Sequence, residues 1–117
     1  MPSTPGTTDI SKHVAAALEC HRRCEETISY CLDKGGQHAE AALIRALTDC
    51  ADMCRMCADF MVRRSEFSVR LCGICADVCD RCADLCAMFS NDPQMARCAT
   101  ACRQCASLCQ EMAGATH

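Results

Sequence analysis

Fifteen cysteines set three and four residues apart, four helix-length segments divided by turn residues, and a shortage of large aliphatic side chains predict an all-α protein. The architecture they describe is an antiparallel up-down-up-down four-helix bundle with a cysteine-lined core. With 117 residues, the chain has the size of one domain. Only eighteen of them are Leu, Ile, Val or Phe, too few for an ordinary core. Free cysteine behaves as a small hydrophobe, and together with alanine it is the material left to fill the interior.

The elements follow in order. Residues 1–8 are rich in Pro, Ser, Thr and Gly and read as a disordered tail. The first helix is expected over 9–33, stopped by Gly35 and Gly36, since glycine takes the positive φ of a helix end without steric cost. The second is expected over 37–63, closing on the basic pair Arg63 and Arg64, which suits the negative end of the helix dipole. Ser65 is the candidate N-cap of a third helix over 66–89. Asp92 as N-cap and Pro93 in the first turn open a fourth, running to 113, with 114–117 as a short tail. Linkers of a few residues make sequential helices antiparallel neighbours.

Helix three carries Cys72, Cys75, Cys79, Cys82 and Cys86. Helix four carries Cys98, Cys102, Cys105 and Cys109; helix two, Cys50, Cys54 and Cys57; helix one, Cys20, Cys24 and Cys31. Alternating steps of three and four are the a and d positions of a heptad, the inward seam of a bundle. Opposite faces carry charge pairs, Glu19 with Arg23, Asp52 with Arg55 and Asp77 with Arg81. All fifteen cysteines are therefore expected to face the axis.

Several function classes are disfavoured. A net charge of −3 with interspersed signs does not make the basic stripe of a nucleic-acid binder. The opening MPSTPGTTDISKH has neither the basic nor the apolar region of a secretory signal, and no apolar run reaches the ~18 residues of a membrane span. The chain is expected to be cytoplasmic, with no nucleic-acid or membrane partner. An odd cysteine count outside Gly/Pro-rich loops argues against a secreted disulfide scaffold. With no evident nucleophile–base pair and no Gly-rich phosphate loop, an enzymatic role is not expected.

Thiolates three or four residues apart on a helix can close on one small ion, and soft sulfur selects Cu(I), Zn(II) or iron–sulfur clusters. Several cysteines belong both to a pair three apart and to a pair four apart, so they form a continuous ladder. Cu(I) suits a ladder, accepting two or three sulfurs that can bridge neighbouring ions. Zinc favours closed tetrahedral sites and would leave much of the seam unused. An iron–sulfur cluster favours a wrapping loop, and no CxxCxxC triplet occurs. Zinc, an iron–sulfur cluster and a structural bundle with an inert cysteine core remain the alternatives.

The runs CGICADVCDRCADLC (72–86) and CATACRQCASLC (98–109), on four short-linked helices, resemble those of the bacterial copper storage proteins. The resemblance implies a homotetramer of four-helix bundles, each holding many Cu(I) ions on core cysteines and loaded or unloaded by a copper chaperone or chelator. Of that family's exported and cytosolic types, the sequence matches the cytosolic one. Family members place additional His or Met ligands at one mouth of the bundle.

Extending the seams to the end near Cys57, Cys72 and Cys109 reaches His13, Met61 and Met112, candidate ligands at the mouth. The competing reading is that the methionines fill gaps and His13 faces water. The other end offers Leu43, Leu47, Phe89 and Met95 as an apolar plug, with Met95 assigned to packing. His21 and His38 fall off the seam and are expected in solvent, Met53 and Met56 in packing or an interface, and His117 in the tail.

Overall fold

The computed structural model describes residues 5–114, with side chains from Ile10 onward. Four helices, α1 (Pro5–Lys34), α2 (Ala41–Val62), α3 (Ser68–Ala87) and α4 (Pro93–Gly114), form the up-down-up-down bundle, and no strand occurs among the described residues. Each helix packs on its two neighbours around the ring, most closely α1 on α2 and α3 on α4. The bundle measures 54 × 21 × 21 Å. A cross-section of two helix diameters, each ~10 Å, leaves only a narrow axis for side chains. Cysteine fills that axis, and Ala17, Ala51, Ala58, Ala76, Ala83 and Ala106 let the helices approach beside it.

The boundaries depart from the sequence reading in ways local chemistry explains. α1 begins at Pro5 instead of residue 9, so the second half of the expected tail is helical and only residues 1–4 lie outside the described set. A proline is tolerated there because a first-turn N–H has no helical acceptor. Gly35 and Gly36 end α1 as expected, with φ of 73° and 57°, and the Gly35 amide donates to the Cys31 carbonyl at 3.0 Å. The second segment divides: Gly36–Ala39 is a single 3-10 turn, and α2 starts only at Ala41.

α2 ends in a Schellman motif. The Ser65 amide donates to Phe60 O and the Arg64 amide to Met61 O, both at 3.0 Å, with Arg64 at φ 56°. That turn delays α3 to Ser68, so Ser65 is not its N-cap; its hydroxyl accepts from the Phe67 amide at 3.1 Å and caps the turn. α3 stops at Ala87, leaving Phe89 in the connection. Asp92 caps α4 as expected, its Oδ1 accepting from the amides of Gln94 (3.0 Å) and Met95 (3.4 Å). Gly114 is α4's last helical residue, and His117 lies outside the described residues.

Of the expected charge pairs, Glu19–Arg23 closes at 2.9 Å. Among the described residues the other ion pairs run elsewhere, notably from Arg103 on α4 to Asp80 (3.4 Å) and Asp84 (2.6 Å) on α3. Two histidines also correct the expectation of solvation. His21 is half-buried, its Nδ1 2.8 Å from the Ala51 carbonyl of α2. His38 meets the Asp92 carboxylate at 2.9 Å and packs on Phe89 at a centroid distance of 4.2 Å. No helix among the described residues is long and apolar enough to cross a membrane.

Candidate metal centre

Each helix contributes one buried stripe. α1 supplies His13, Ala17, Cys20, Cys24, Thr27 and Cys31; α2 supplies Leu43, Leu47, Cys50, Cys54, Cys57 and Met61. α3 contributes its five cysteines, and α4 contributes Met95 followed by its four. The steps of three and four bring these positions to one face because a helix turns once in 3.6 residues. All fifteen cysteines are free thiols, none more than 3% exposed.

Twelve of them form five sets whose sulfurs lie within 4.8 Å of one another: Cys24/82/98/102, Cys20/24/50/102, Cys20/50/54/79, Cys54/75/79/105 and Cys57/75/109. In that order consecutive sets share members, so the sets make one unbroken column along the axis. Sulfur–sulfur distances within it include 3.5 Å for Cys54–Cys79 and 3.7 Å for Cys20–Cys50 and Cys20–Cys102. Thiols of the diagonal helices α2 and α4 also meet, Cys54–Cys105 at 3.8 Å and Cys50–Cys102 at 3.9 Å. The axis is therefore filled by sulfur.

Contacts between the thiols shift them in opposite directions along the column. Hydrogen bonding with Cys102 brings Cys20 down to about 7, and contacts with Cys109, Cys20 and Cys54 bring Cys105 down to about 2. Contacts with Cys20, Cys24 and Cys50 push Cys102 up, and contacts with Cys105, Cys20 and Cys50 push Cys54 up. Neighbouring thiols thus share protons, and an entering cation would replace them.

Cys31, Cys72 and Cys86 stand outside the five sets, though each is fully buried. Cys72 approaches Cys57 at 3.3 Å; hydrogen bonds with Cys109 and Cys57, helped by the charge of His13, bring it down to about 4. Cys31 contacts a thioether, its Sγ 3.6 Å from Met95 Sδ. The pair four residues apart, Cys82 and Cys86, keeps Cys86 beside the column's end, where Cys82 and Cys98 push its thiol up.

At the Cys57/Cys72 end, His13 is only 6% exposed, with Nε2 3.9 Å from the Glu111 carboxylate, so it does not face water. Met61 is buried and Met112 packs, partly buried, against the core. Met61 also borders a surface groove of about 510 Å³ with Ile10, Val14, Leu18 and Val62. The opposite end is closed by Leu43, Leu47 and Met95 with Phe89 packed outside them. Above Phe89, Asp92 accepts from Tyr30 Oη at 2.8 Å as well as meeting His38.

Two features escaped the reading of the sequence. Thr27 occupies the α1 seam position between Cys24 and Cys31, fully buried, its hydroxyl donating to Arg23 O (2.7 Å) and accepting from Gln94 (3.1 Å). The heptad spacing marks that position as inward. Met95, assigned to packing alone, has its sulfur against a thiol, a contact that depends on the register of α4 against α1.

The sequence matches no curated protein. Among solved structures, a protein from Nitrosospira multiformis shares 35% identity over 93% of this chain and 98% of its own, with a TM-score of 0.86. The Cu(I)-bound copper storage protein BsCsp3 shares 31% identity over 88% of this chain and 96% of its own, TM-score 0.83. Apo copper storage protein 3 from Bacillus subtilis shares 32% over 88% and 97%, TM-score 0.78. The model of the copper storage protein family matches residues 7–114, all of the bundle but its first two residues and the entire cysteine column, and the chain belongs to that family.

Proposed function

We propose that this chain stores Cu(I), taking many ions per chain on the fifteen core cysteines. The observation that carries this reading is the sharing of thiols between consecutive sets. An ion needing a closed tetrahedral site could fill only alternate sets, because adjacent ones compete for the same sulfurs. Cu(I) accepts two or three sulfurs and tolerates bridging thiolates, so it can use the column continuously. Zinc in alternate sets is the second reading. Each thiol that takes an ion releases its proton, so the ions also neutralise the negative charge that thiolates would accumulate in a buried axis.

We assign His13, Met61 and Met112 as further donors where copper enters. Burial of His13 beside Cys72, and the groove reaching Met61, support that end as the mouth. Fifteen free, buried thiols suit a reducing compartment, which supports the cytosolic type. A homotetramer is the assembly the family resemblance implies; exposed apolar side chains such as Leu18, Met56 and Ile74 supply surface for it, and native mass spectrometry tests it. Loading and unloading would then pass through a copper chaperone or a small chelator at the mouth.

Anaerobic Cu(I) titration against a competing chelator, with thiol counting, tests the function. Uptake of many ions with all fifteen thiols consumed is expected. Saturation at one or two ions would reduce the column to an ordinary metal site.

A further inference from the structure

The closed end of the bundle carries a sulfur pair that the column does not use. Cys31 lies outside the five thiol sets, and on α1 it is cut off from Cys24 by Thr27. Thr27 offers copper nothing, since its hydroxyl is a hard donor already engaged with Arg23 O and Gln94. Beyond it, Cys31 Sγ and Met95 Sδ stand 3.6 Å apart, both with no exposed surface. We propose that Cys31 and Met95 form a separate thiolate–thioether Cu(I) site at the end opposite His13, with Cys98 the sulfur next in reach. Cys98 lies three residues beyond Met95 on the same buried face of α4. This proposal rests on the copper-storage reading and extends it beyond the cysteines.

The chemistry explains why a thioether stands there. Neither sulfur has any exposed surface, so a second thiolate at this spot would bury a second negative charge. Methionine provides a soft lone pair with no proton to lose and no charge to bury. Its position is fixed from the first turn of α4, where the Met95 amide donates to the capping carboxylate of Asp92 at 3.4 Å. Leu43 and Leu47 of α2 already close this end with hydrocarbon, so filling space does not require sulfur at residue 95. On binding, Cys31 loses its proton to solvent, its thiolate and the Met95 sulfur each donate a lone pair to Cu(I), and no electron is transferred.

The test is a crystal of the full chain loaded anaerobically with Cu(I), with anomalous difference density measured at the copper edge. A copper peak within bonding distance of both Cys31 Sγ and Met95 Sδ is expected. Met95→Leu keeps the volume and removes the donor; it should erase that peak and lower the capacity by one ion per chain, leaving the column loaded. A loaded column with no copper against Met95 Sδ overturns the proposal, as does unchanged capacity in Met95→Leu. Should that variant fail to fold, the wild-type map alone decides. A wild-type chain that takes up no copper overturns the storage reading itself, and the Met95 site with it.

Discussion

A cysteine in this column is one member of a shared set, and this determines what its loss does. Cys79 belongs to two sets, with Cys54, Cys50 and Cys75 at 3.5, 3.7 and 3.8 Å from its sulfur. Cys79→Ala should therefore remove only roughly one or two ions, because the surrounding thiolates can regroup. Replacing all five cysteines of α3 should remove a far larger share, read by the same chelator competition. A single substitution that abolished uptake would indicate one discrete site instead. The fifteen thiols were legible in the sequence because steps of three and four fix a helical face whatever the partners are. His21 and His38 were not, because their partners, the Ala51 carbonyl and Asp92, come from elements far along the chain.

At the level of elements, the ends of the helices hold the register that aligns the four stripes. Asp92 caps α4 and ties it to Tyr30 of α1 and His38 of the 3-10 turn. Burial alone would push its carboxyl up; the hydrogen bonds from Tyr30, His38 and the Met95 and Gln94 amides outweigh that and hold it below its ordinary value. A carboxyl lowered by folding contributes stability that is full above its unfolded pKa and is lost as pH falls through the folded one. Asp92→Ala should thus cost the apo protein about 1–2 kcal/mol near neutral pH and flatten its loss of stability below about pH 4, measured by thermal melts between pH 6 and 3. Equal losses at every pH would show that the carboxylate charge is not what matters. Arg64, at φ 56°, carries a steric cost that glycine lacks. Arg64→Gly should stabilise the apo bundle by up to ~1 kcal/mol, seen as a few degrees in Tm. Asp92 was legible as a cap because Pro93 follows it. The Schellman turn at Arg64 was not, since arginine has no preference for positive φ and gives no signal there.

For the molecule as a whole, the caps and apolar seams exist before any metal arrives. The apo chain should already be helical, with copper raising its Tm by mass action and leaving its far-UV circular dichroism nearly unchanged. An apo chain that folds only with metal would contradict a preformed column. The two ends then decide how copper gets in. At one end stand His13, Cys72 and Met61, which in the proposed route pass an ion inward to Cys57 and Cys109. At the other, Leu43, Leu47 and Phe89 would have to move aside, beneath the Tyr30–Asp92–His38 contacts. Imidazole is a nitrogen donor that Cu(I) accepts, so His13 can hold an ion at that end. His13→Ala should slow stopped-flow uptake and weaken the outermost site, with total capacity near normal because the interior donors are sulfurs. Phe89→Ala should leave uptake rates unchanged. Unaltered kinetics in the first variant beside faster loading in the second would reverse the two ends, making the apolar cap the gate and His13 a buried packing residue.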